Sequence, residues 1–100
     1  MEKIAFITGA NRGIGFETSK KLGEMGIKVI LGSRDVNKGK KAVEELSSLG
    51  VEAESIQYDA FDLKAPKKIF NYINDKYKKL DILINNAGVL LSGNLFVTNS

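Results

Sequence analysis

Four short apolar runs alternate with three segments of helical spacing along these 100 residues, and that alternation restricts the fold most. Lys3 to Thr8 (KIAFIT) ends on a glycine and suits a strand buried on both faces. Ile14 to Met25 has Ile14, Thr18, Leu22 and Met25 on one side of a helix, with Gly26 as its stop. Ile27 to Leu31 is a second strand. Val36 to Leu49 is a helix with Gly39, Val43, Leu46 and Gly50 on one stripe. Glu52 to Tyr58 is a third strand, less apolar, as befits a sheet edge. Leu63 to Lys79 is a helix, with Pro66, Ile69, Phe70, Ile73, Tyr77 and Leu80 at spacings of three and four, and Asp62 placed to cap it. Asp81 to Asn85 (DILIN) is the fourth strand.

Helical crossovers imply parallel strands joined in the right-handed sense. The economical solution is an α/β fold, an open doubly wound parallel sheet with only the first four strands present, in the order 3-2-1-4. The reversal of winding between the first and fourth strands opens a crevice at their carboxyl ends, where ligands bind.

Composition narrows the function. An apolar fraction of 43% with 27% charged residues fits a soluble globular domain, and the length allows one. Cysteine and histidine are absent, which excludes disulfides and thiolate zinc sites and removes the commonest general base. The opening apolar run is too short for a signal peptide or membrane span, so a cytoplasmic protein without membrane association is expected. Net charge is only +3, and acidic residues interleave with the lysines. That pattern reads as solvated helix faces, not as a nucleic-acid surface.

The strongest local signal lies between the first strand and first helix: Thr8-Gly9-Ala10-Asn11-Arg12-Gly13-Ile14-Gly15. Glycines there permit a tight turn and a close backbone approach to a diphosphate, and the helix start aims amides and a positive dipole end at that anion. No Gly-Lys-Ser/Thr follows Gly9, which excludes a Walker A loop. Thr18 stands where GxGxxG would need its last glycine; the spacing is GxxxGxG.

With its leading threonine, that spacing resembles the TGxxxGxG hallmark of the short-chain dehydrogenase/reductase family. Asn85-Asn86-Ala87-Gly88 matches the family's NNAG motif, and Asp59 matches its aspartate after the third strand. The stretches Gly32 to Val36 and Leu80 to Asn85 look most like the carbonyl-reductase branch. The resemblance implies a Rossmann-type domain that binds a dinucleotide. Gly9, Asn11, Arg12, Gly13, Ile14 and Gly15 would line the diphosphate and adenosine ribose. Asp59 would accept from the adenine amino group, and Ala60 would meet the ring edge through its backbone. Asn86, Ala87 and Gly88 would border the path to nicotinamide, while Asn85 would brace the sheet.

Cofactor choice turns on the end of the second strand. NAD enzymes place a carboxylate there for the ribose 2′-hydroxyl. Here the position is Ser33, neutral, followed by Arg34, with Lys38 one turn into the helix and Arg12 on the same rim. Basic residues at those places accompany NADP(H) in the family. A charge-assisted hydrogen bond contributes roughly 1.5–3 kcal/mol, so one arginine favours NADP about tenfold to a hundredfold. Asp35 lies near the usual NAD carboxylate and reads instead as the cap of the second helix.

The family's chemistry uses a serine and a Tyr-x-x-x-Lys pair after NNAG. Tyr72 to Lys76 matches that string but precedes NNAG, and Tyr72 falls off the apolar stripe of its helix, so it reads as surface. Ser92 and Ser100 come too early. The expectation is therefore the NADP(H)-binding part, residues 1–100, of an oxidoreductase acting on a carbonyl or alcohol, without its catalytic residues and inactive alone. The alternative is a non-catalytic dinucleotide-binding or redox-sensing module. An apolar, unpaired edge on the fourth strand would favour self-association.

Overall fold

The computed structural model describes residues 2–10, 13–59 and 61–86, and the backbone of 97–99. In chain order the elements are β1 (Ile4–Thr8), α1 (Gly13–Glu24), β2 (Lys28–Ser33), α2 (Val36–Ser48), β3 (Ala53–Gln57), α3 (Ala65–Tyr77), β4 (Ile82–Asn85) and β5 (Val97–Asn99). All strand pairs are parallel, in the order β3-β2-β1-β4-β5. The expected order 3-2-1-4 is present, with β3 at one edge.

The fifth strand was not anticipated. It pairs Val97, Thr98 and Asn99 with Leu83, Ile84 and Asn85, so the flank of β4 expected to stand unpaired is covered. Unpaired amides and carbonyls on an edge are satisfied by any extended segment that reaches them, and Val97-Thr98 is β-branched. The edge on which self-association was expected to rest is therefore not open.

Every residue of β1 is buried, because helices cover both faces of the sheet. Ile4 and Phe6 point to the side of α3, where they join Ile30, Tyr58, Ile69, Ile73 and Leu83. Ile7 points to the other side and meets Val29, Leu31, Ala42, Leu46 and Ile84 beneath α1 and α2. Asp81 clips the amino ends of β1 and β4 together: its Oδ2 accepts from the Ile4 amide at 2.7 Å, while its own amide donates to the Ile4 carbonyl at 2.9 Å.

The inward face of α1 differs from the expected stripe. Ile14 and Met25 are 66% and 74% exposed, whereas Gly15 and Ser19 are buried and Phe16 and Leu22 pack against the core. The helix approaches the loop after β1 closely at Gly15, where a side chain would collide with the carbonyl of Gly9. Close approach at a glycine rotated the buried face by one residue. In α3 the first turn begins at Ala65, two residues later than expected, because Asp62 Oδ1 caps a preceding turn through the Lys64 amide (2.9 Å).

Candidate functional site at the carboxyl ends of the strands

The loop after β1, the turn after β2, the turn after β3 and the end of β4 all lie at the carboxyl edge of the sheet. Three devices hold them.

The first joins β1 to β4. The Thr8 hydroxyl donates to Asn85 Oδ1 at 3.1 Å and accepts from the Asn86 amide at 2.9 Å, and Asn86 Nδ2 donates to the Gly9 carbonyl at 3.2 Å. Asn85 is buried and bonds to the Thr8 side chain across β1 and β4. A Cβ on Gly15 would stand 2.5 Å from the Gly9 carbonyl oxygen and 2.7 Å from Asn86 Nδ2. Glycine at position 15 is thus required for α1 to start against this brace.

Gly13 opens α1 at φ +64°, and a Cβ there would meet nothing within 4 Å. The helix thus opens on a residue without a side chain, and a helix's first amides have no intrahelical acceptor. That arrangement fits an anionic diphosphate. One amide of the loop is committed elsewhere: Ala10 N donates to the Gly32 carbonyl at 3.3 Å. Asn11, Arg12, Ala60, Ala87 and Gly88 lie outside the described residues.

The second device is the turn leaving β2. Ser33 is 2% exposed and its hydroxyl donates to the Asp35 carbonyl at 2.9 Å, so the side chain is turned into the fold. Asp35 caps α2, its Oδ1 accepting from Asn37 N at 2.9 Å and Lys38 N at 3.1 Å. Arg34 and Lys38 are exposed beside it. The third device is the turn after β3. Asp59 Oδ1 accepts from the Phe61 amide at 2.9 Å, so this carboxylate organises its own turn.

The Tyr-x-x-x-Lys string lies elsewhere. Tyr72 donates to Glu54 Oε2 at 2.8 Å, and Lys76 Nζ sits 3.2 Å from the Tyr72 hydroxyl and 3.3 Å from Glu54. Tyr77 also donates to Glu54. Burial alone would push Glu54 up, but the three donors and the Lys76 charge outweigh it and hold the carboxyl below its ordinary value. Burial, then the bond to Glu54, pushes Tyr77 up to about 12. The bonds to Tyr72 and Glu54 raise Lys76. The Tyr72 hydroxyl and the Lys76 ammonium are both engaged on Glu54 within this cluster. It also joins α3 to the amino-terminal half of β3, away from the carboxyl edge.

Against this geometry stand the known proteins. A profile of the short chain dehydrogenase family matches residues 3–99. The chain belongs to the short-chain dehydrogenase family. It is 40% identical over 91 residues to short-chain dehydrogenase/reductase 1 of Saponaria officinalis, covering 88% of this chain and 30% of that protein. It is 43% identical over 91 residues to (+)-neomenthol dehydrogenase of Arabidopsis thaliana, covering 87% and 31%. A metagenomic short-chain oxidoreductase solved in complex with NADP superposes with a TM-score of 0.81 at 38% identity, covering 87% of this chain and 39% of that one. The chain thus spans about a third of the length of the curated relatives it matches. No described helix is long and apolar enough to cross a membrane.

Proposed function

We propose that this chain is the cofactor-gripping part of an NADP(H)-dependent oxidoreductase that moves hydride between nicotinamide and a carbonyl or alcohol, in the cytoplasm. The single observation that carries the reading is the glycine start of α1, with Gly15 packed against the Gly9 carbonyl and Asn86 that tie β1 to β4. Family membership and the resemblance to a structure solved with NADP support the dinucleotide. The neutral, buried Ser33 followed by exposed Arg34 and Lys38 supports the 2′-phosphate form.

In this reading the backbone of Gly9, Gly13, Ile14 and Gly15, with Asn11 and Arg12, holds the diphosphate. Arg34 and Lys38 attract the 2′-phosphate beside Ser33. Asp59 and Ala60 receive the adenine, and Asn86, Ala87 and Gly88 line the route toward the reacting ring. Nicotinamide, when bound, supplies the hydride chemistry. This chain's residues bind and orient it, and the residues that act on substrate belong to the remainder of the enzyme. The loop motifs and the Gly32 to Val36 stretch favour a carbonyl-reductase-like parent.

A binding titration with NADPH and NADH tests the reading. NADPH should bind at least about tenfold tighter, as one charge-assisted contact provides. Arg34→Ser should erase the difference. Equal affinities in the wild-type chain would sink the cofactor assignment.

A further inference from the structure

We propose that Asp35 sets cofactor preference by pinning the backbone beneath Arg34, and not by its charge; this rests on the dinucleotide reading above. A carboxylate two residues past Ser33 would, by its charge alone, repel a 2′-phosphate. The geometry gives it another occupation. Asp35 Oδ1 takes the Asn37 and Lys38 amides at 2.9 and 3.1 Å, so its charge is turned onto the positive end of α2. Its carbonyl accepts from the Ser33 hydroxyl at 2.9 Å and the Gly39 amide at 3.0 Å.

The neighbouring carbonyls are taken as well. Ser33 O accepts from the Tyr58 amide at 2.9 Å, and Arg34 O accepts from Gln57 Nε2 at 3.5 Å. Three consecutive peptides from 33 to 35 are thus tied to α2 or to the end of β3. The helix sits low enough that a Cβ on Gly39 would lie 3.2 Å from the Cβ atoms of both Ser33 and Ser55. Arg34 is therefore an exposed side chain on an immobilised backbone, and a pre-ordered contact costs less to form on binding.

The test compares Asp35→Ala with Asp35→Asn in the 100-residue chain, titrating NADPH and NADH with circular dichroism to verify the fold. Asparagine caps a helix as well as aspartate, whereas alanine does not. Asp35→Ala should lower the NADPH-over-NADH preference about three- to tenfold, mostly through weaker NADPH binding. Asp35→Asn should keep the wild-type preference. A preference that rises in either variant identifies a repulsive charge and overturns the proposal, as does an unchanged ratio in Asp35→Ala. Should Asp35→Ala not fold, Ser33→Ala, which removes the hydroxyl from the same turn, must show the drop; an unchanged ratio there overturns it equally. Loss of preference in the wild-type chain sinks the cofactor reading itself, and is told apart by appearing before any substitution.

Discussion

The two ends of the sheet handle polar side chains in opposite ways. At the carboxyl end, Thr8, Ser33, Asp35, Asp59 and Asn86 bond chiefly to backbone groups, so the loops there are fixed. Toward the amino end, Glu54, Tyr72, Lys76 and Tyr77 bond to one another and leave nothing directed at a ligand. A Tyr-x-x-x-Lys string in the second region has the spacing of a catalytic pair and the environment of a staple between an edge strand and its helix. Where hydrogen bonds go distinguishes the two.

That contrast breaks first at Gly15. Gly15→Ala should cost about 3 kcal/mol, since its Cβ would press on backbone and on Asn86 at 2.5–2.7 Å. Thermal denaturation should fall by roughly 12–24 °C, and NADPH binding should weaken with it. Retention of both would show that the brace does not position α1.

Next, Thr8→Val keeps the shape and removes a buried hydroxyl that serves two asparagines. A loss of about 1–3 kcal/mol is expected by chemical denaturation. A neutral result would mean that the β1–β4 connection is carried by packing alone.

At the other end the effects are smaller and depend on pH. Glu54 titrates below its ordinary value in the folded state, so its contribution is present above the unfolded carboxyl pKa and is lost as pH falls through the folded one. Tyr77 is raised to about 12, so its contribution is full below pH 10 and is lost as pH rises toward 12. Tyr77→Phe should flatten the alkaline fall in stability by at most about 1 kcal/mol, because partly exposed groups are screened. An unchanged alkaline limb would contradict the cluster.

The smallest effect belongs to Tyr72. Tyr72→Phe should change stability by under about 0.5 kcal/mol and leave NADPH affinity at the wild-type value. A drop in affinity would place this tyrosine in the cofactor site.

Much of this was readable from the chain. Alternation of apolar runs with helical spacing implied the parallel sheet and its order, and with them that the glycine loop, Asp59 and the end of β4 share the carboxyl edge. Four features were not readable. The buried face of α1 follows from close contact at Gly15, which leaves Ile14 and Met25 outside despite their apolarity. β2 runs on through Gly32 and Ser33, because pairing with Ile56 and Gln57 continues after apolarity ends. The serine hydroxyl then turns inward onto the Asp35 carbonyl and holds a turn. β5 is too short to carry a period of its own and is defined by the β4 edge it pairs with.

Amide chemical-shift mapping of the isotope-labelled chain during titration with NADPH addresses the difference between the two ends most directly. Shifts should concentrate at Gly13, Ile14, Gly15, Arg34 and Asp59, with Tyr72, Lys76 and Tyr77 unmoved. Shifts centred on α3 and β3, with the start of α1 silent, would contradict the account.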